Sequence, residues 1–208
     1  MRDAWVRAVV GRGGNAEKAA ASARELLARY GEAHRSYHTE QHVVAMLSDV
    51  ELLAEDIVLD SFDRDVLTLA ICAHDVVYNG KPGEDERASA AWARRRLTDA
   101  GVSEDVVDRV EALVLATITH EADGQDALAD VLLDVDLAIL GAPEEKYDAY
   151  VWAVRAEYSH VADDHWRTGR AAVLRSLVER DVLYRTTDAR RRWDSAARNN
   201  IRRELGSL

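Results

Sequence analysis

The chain has 208 residues, 48% of them hydrophobic, with two prolines, eleven glycines and one cysteine; this suits one domain with a sizeable core and excludes a linker-rich or disulfide-stapled chain. A formal net charge of −11 argues against a protein whose main task is gripping a nucleic-acid backbone, while leaving room for a small phosphorylated ligand held by a few arginines. The opening MRDAWVRAVVGRGG lacks the long apolar run of a signal peptide or a membrane span, so the expected location is cytoplasmic, with no membrane partner.

Helical periodicity runs almost throughout, and strand alternation is nearly absent. NAEKAAASARELLARYG is rich in helix formers and stops at Gly31. TEQHVVAMLSDVELLAE follows, with Thr39 as its N-cap. DRDVLTLAICAHD is the most apolar segment and is predicted to be central, and EDERASAAWARRRLTDAG ends at Gly101. SEDVVDRVEALVLATITH starts from Ser103 and carries a stripe of Val106, Val110, Leu113 and Thr117, with His120 as its next member. DALADVLLDVDLAILG comes next, then PEEKYDAYVWAVRAEYSHV opened by Pro143, then WRTGRAAVLRSLVERDVL and DSAARNNIRREL. No repeat or sharp boundary divides them. The expected fold is all-α: one helical bundle over 1–208, with a core spanning about 30–142 and C-terminal helices 143–208 packed on it.

Histidines and carboxylates fall where a helical core does not need them. In ICAHDVVY, His74 and Asp75 close an almost wholly apolar run, and a buried charge without a partner or metal costs several kcal/mol. In YHTEQH, His38 and His42 stand four residues apart and share a face if both are helical; a cap and a surface residue would give the same pattern. His120 reads equally as a hydrogen-bonded core histidine. In LLDVDLAILG, residues two apart point about 200° apart on a helix, so Asp134 and Asp136 cannot serve one site. Asp136 shares its face with Leu132, Leu133, Ile139 and Leu140 and is the better inward carboxylate; Asp134 supports it from behind or faces solvent. Imidazoles and carboxylates drawn from separate helices suit a divalent ion such as Mn, Fe, Co, Ni, Zn or Mg. Cys72 has no thiolate partner, which argues against a structural zinc knuckle.

The order His42, His74-Asp75, Asp136 resembles the HD superfamily of metal-dependent phosphohydrolases. Together YHTEQH, AHDVVYNGKPGEDERASA, LLDVDLAILG, VRAEYSHV, WRTGR and ARNNIRREL are similar to a bacterial branch of predicted phosphohydrolases in it, over nearly the whole chain. The resemblance implies an HD-type bundle with His42, His74, Asp75 and Asp136 as metal ligands. YHTEQH is also similar to the YHN..H segment of cyclic-nucleotide phosphodiesterases, with Thr39 in place of asparagine, which implies His38 as general acid. The resemblance further implies His120 near a second metal or the phosphate, and makes Glu86 a candidate near the metal, although a solvated glutamate at a helix start would give the same pattern.

On this reading a metal-activated water attacks a phosphate ester of a small molecule, a nucleotide foremost. Asp75 bridges ligand and water as base, His38 protonates the leaving oxygen, and Lys81, Arg155 and Arg170 are candidates for the phosphate clamp, with surface ion pairing as the plainer account of each arginine. An HD-type di-iron oxygenase and a non-catalytic nucleotide-binding regulator remain the alternatives, and a homo-oligomer is compatible with the sequence.

Overall fold

The computed structural model describes residues 1–53, 59–120 and 125–208, and among these it is helical, with no strand. The chain divides into two compact units, Met1–Leu133 and Asp134–Leu208. The all-α expectation holds.

The first unit contains α1 (Arg2–Gly11), α2 (Ala16–Tyr30), α3 (Glu40–Leu53), α4 (Ser61–Ala73), α5 (Glu84–Ala100) and α6 (Glu104–Ala116). It also contains most of α7 (Ala127–Asp136), an unbroken helix whose last three residues fall beyond the boundary. Ala54 and Glu55, which close the TEQHVVAMLSDVELLAE segment, lie outside the described residues.

Helix α4 is central, as its composition predicts, and packs on α1, α3, α5 and α6. Its start is capped by Asp60, whose carboxylate accepts the Asp63 amide at 2.8 Å. Val66, Leu67, Leu69, Ala70, Ile71, Cys72 and Ala73 are all buried, so the helix has almost no polar face, as befits one enclosed by others. Burial pushes the Cys72 thiol up to about 12, which leaves it an inert core residue.

Helix α1 has no counterpart among the elements read from sequence. It is held by Trp5, which is fully buried, donates its indole N–H to the Ser22 hydroxyl at 2.9 Å and lies 5.4 Å from the Trp92 ring. A side chain of that size contributes roughly 2–3 kcal/mol on burial, enough to dock a ten-residue helix of modest propensity.

Helix α6 is shorter than its apolar stripe suggests. It ends at Ala116; the Thr117 hydroxyl donates back to the Val114 carbonyl at 2.7 Å, and His120 adopts φ +50°. The stripe therefore does not continue to His120, correcting the helical placement. The β-branched run Thr117-Ile118-Thr119 offers the backbone side-chain bonds that compete with helix.

At the start of α7, Asp126 accepts the Ala129 amide at 3.1 Å and pairs through both oxygens with Arg109 of α6 at 2.5 Å. Arg109 holds the Asp126 carboxyl below its ordinary value of 3.8. A carboxyl depressed by folding contributes stability above its unfolded pKa, and that contribution is lost as pH falls through the folded one. Asp126→Asn should therefore melt below wild type at neutral pH and converge with it as pH falls below the ordinary carboxyl value of 3.8. Parallel melting curves through that fall in pH would show that the pair contributes nothing.

The second unit contains a 3₁₀ turn (Ala138–Gly141), α8 (Glu144–Glu157), α9 (Asp163–Val178), the short α10 (Thr187–Ala189), a π-helical turn (Arg190–Asp194) and α11 (Ser195–Ser207). Gly141 is required by close approach, since a Cβ there would meet the Trp193 Cβ at 2.5 Å. Asn200 donates to the Leu140 and Ala142 carbonyls at 2.9 Å, satisfying the end of the 3₁₀ turn. Between α8, α9 and α11, buried Glu204 accepts from Arg170 at 2.7 and 3.1 Å and from the Tyr147 hydroxyl at 2.5 Å. No described helix is long and apolar enough to cross a membrane.

Candidate metal centre

The centre starts from the C-terminal end of α4, where the last carbonyls of a helix have no intrahelical donor. Each finds one here. The Ala70 carbonyl accepts the His74 amide at 2.9 Å, and Ile71 accepts the His74 ring Nδ1 at 2.8 Å. Cys72 accepts the Tyr30 hydroxyl at 3.1 Å, and Ala73 accepts the Val76 amide at 3.1 Å. The Tyr30 oxygen in turn accepts the Asp75 amide at 3.3 Å.

A carbonyl only accepts, so His74 carries a proton on Nδ1 and directs Nε2 away from its own helix. This is how metal-binding histidines are commonly oriented. That Nε2 stands 3.0 Å from Asp75 Oδ2, and His42 Nε2, from the first turn of α3, stands 4.0 Å from the same oxygen. Both imidazoles are buried, with ring centroids 5.3 Å apart. With its proton on Nδ1, a neutral His74 sets a nitrogen lone pair against the Asp75 carboxylate oxygen, which either a second ring proton or a cation between them would relieve.

Asp136, the last residue of α7, completes the donor set. His42, His74 and Asp136 each offer one ligand atom, and these atoms lie within 4.8 Å of one another. Ligands about 2.0–2.2 Å from one ion lie at most about 4.4 Å apart, so binding would draw the three donors together by small side-chain rotations. Two imidazoles with carboxylates suit a borderline or hard divalent ion. The residues fit a metal.

Comparison with protein-family models, curated proteins and solved structures finds no match to this chain. The case for the site therefore rests on its own geometry.

Of the four residues expected as ligands, the structure brings His42, His74 and Asp136 into one group, with Asp75 against both histidines. The facing argument that favoured Asp136 needs revision. Asp134 is the more buried of the two, at 1% exposed, while Asp136 is half-buried. Asp134 does not face solvent: its oxygens accept the Arg185 and Thr186 amides at 2.7 and 2.8 Å. Burial raises the Asp134 carboxyl, and those two amides oppose the rise.

His38 lies just before α3, its ring stacked on Tyr78 at 4.1 Å and 5.9 Å from the His42 ring. The loop after the HD pair is organised by α5. Buried Asp85 accepts the Asn79 and Lys81 amides at 2.7 and 2.8 Å, and the Ser89 hydroxyl accepts the Val77 amide at 3.0 Å. Glu86 accepts the Gly83 amide across the first turn of α5, and exposed Lys81 pairs with Glu84 at 3.7 Å. Arg155 donates to the Tyr158 and Val161 carbonyls and to Asp163, while Arg170 binds Glu204. Glu86, Lys81, Arg155 and Arg170 thus each have a local partner.

Sequence reasoning missed Tyr30, Arg35, Asp85 and Ser89. Tyr30 could have been found as the last member of the α2 stripe through Ala19, Ala23 and Leu26, all buried. Arg35 carries no such signal, because one arginine in a polar loop reads as solvated.

Proposed function

We propose that this chain is a metal-dependent phosphohydrolase of the HD type that cleaves a phosphate ester of a small molecule, with nucleotides the first class to test. The observation that carries the reading is the convergence of His42, His74 and Asp136 within 4.8 Å, with Asp75 Oδ2 3.0 Å from the His74 Nε2 and 4.0 Å from that of His42. A divalent ion supplies Lewis acidity, polarising a phosphoryl oxygen and bringing the pKa of bound water towards neutrality.

The chain's own residues supply the rest. His42, His74 and Asp136 hold the ion, and the Nδ1 bond to Ile71 fixes the direction of His74. Asp75, 17% exposed at its side chain, can reach an attacking water and take its proton at Oδ2. His38, half-buried at the same edge, can deliver a proton to the leaving oxygen, and its stacking on Tyr78 limits ring motion.

The test is phosphate release from a panel of nucleotides and simple phosphate esters by chain loaded with Mn, Co, Ni or Mg. Metal-dependent release is expected for at least one ester. His38→Ala should keep its metal and turn over about 10²–10⁴-fold more slowly. Oxygen consumption without phosphate release would instead favour the oxygenase, and equal turnover after chelation would end the metal mechanism.

A further inference from the structure

We propose that Arg35 is the positioning residue of this centre, latching the His38–His42 segment to the His74–Asp75 turn so that the ligands are in register before an ion binds. The inference rests on the metal-centre reading above and concerns how that centre is assembled.

The Arg35 side chain is 0% exposed. Nη1 donates to the Asp75 carbonyl at 2.7 Å and to the His38 carbonyl at 3.1 Å, and Nη2 donates to the Val76 carbonyl at 3.1 Å. One guanidinium thus holds two segments some 40 residues apart in sequence, each carrying residues of the centre. Glu32 balances its charge through Nε and Nη2 at 3.3 Å, and the Tyr30 and Tyr78 rings lie 5.1 and 5.6 Å from its central carbon.

The contacts are distributed in a way that bears on the ligands. The Asp75 and Val76 carbonyls lie past the end of α4, where no helical donor reaches them. Arg35 supplies those donors, and Tyr30 bridges the Cys72 carbonyl to the Asp75 amide one step earlier. The path of the backbone through His74, Asp75 and Val76 is therefore set by side chains from α2 and the loop after it. The same guanidinium fixes the carbonyl of His38, which enters the first turn of α3 and His42. Lysine carries its three donors on one nitrogen at the end of a flexible stem and does not reproduce the fixed spread of Nη1 and Nη2 over these carbonyls.

Outer partners that orient metal ligands typically matter 10- to 100-fold for affinity. Arg35→Met should therefore weaken Co(II) binding by about 10- to 100-fold, with Arg35→Lys intermediate. Tyr30→Phe deletes only the bridging hydroxyl and should weaken binding in the same direction. Affinity is read by titrating Co(II) into each variant well below its melting temperature, with helical circular dichroism recorded in parallel. A merely structural Arg35 would lower the melting temperature and leave Co(II) affinity unchanged. Wild-type affinity in a folded Arg35→Met overturns the proposal. If that variant does not fold, wild-type affinity in both Arg35→Lys and Tyr30→Phe overturns it. Wild-type protein that binds no more Co(II) than His42→Ala would instead overturn the metal reading itself, and the latch with it.

Discussion

Replacing His74 with alanine is expected to abolish stoichiometric binding of Mn(II) or Co(II) while leaving the helical signal of the chain intact. His74 is held through both its backbone and its ring. Its amide and ring Nδ1 satisfy successive carbonyls at the end of α4, and its Nε2 meets Asp75. Deleting a direct ligand should cost more than the roughly 10- to 100-fold typical of outer partners, so an apparent affinity loss beyond about 100-fold is expected. The fold should nonetheless persist. The bond to the Ile71 carbonyl, worth about 1 kcal/mol, is lost together with the packing of a buried ring, while the buried apolar side chains of α4 are retained. Calorimetric titration of wild type and variant with the same ion decides the matter. Equal affinities would show that the convergence of His42, His74 and Asp136 is not a metal site.

The second large effect is on stability. Arg170→Met should strip the buried Glu204 of its cation while leaving the carboxylate enclosed at 5% exposure. Breaking a buried pair on one side costs about 3–5 kcal/mol, which for a chain of this size is a fall of roughly 10 °C in melting temperature. Burial and the Glu204 carboxylate already push the Tyr147 phenol up, so the Tyr147 hydroxyl stays a proton donor and does not replace the lost charge. Arg170→Met combined with Glu204→Gln should recover part of the loss, because a neutral amide can still accept from Tyr147 without an uncompensated charge. Thermal melts of the wild type, single and double variants test this. If Arg170→Met melts with the wild type, the network contributes no net stability.

Several features of the molecule were legible in the residue string for stated physical reasons. The run ending at Cys72-Ala73 is the most apolar of the helical segments, so a central helix was expected there. A histidine and an aspartate at the end of that run needed compensation, and that need pointed to partners of the kind found in His42 and Asp136. Other features were not legible. His120 continues a clean apolar stripe, but the Thr117 hydroxyl turns back on Val114 and the chain leaves the helix. Asp134 looked like the polar-side carboxylate of α7, yet it is the more buried one, because the Arg185 and Thr186 amides come to it from another part of the chain.

The sequence by itself determined the all-helical class, the central place of α4 and the residue types of the candidate centre. These follow from periodicity and from the cost of burying charge, both of which are local. Tertiary structure alone decided which donors meet, which carboxylate of α7 turns towards the histidines, and that Tyr30 and Arg35 shape the turn carrying His74 and Asp75. A helical wheel gives a side chain's direction about one axis. The ångström-scale distances among Nε2, Oδ2 and a guanidinium depend on how several axes pack, and on which donors reach the carbonyls a helix leaves open at its end.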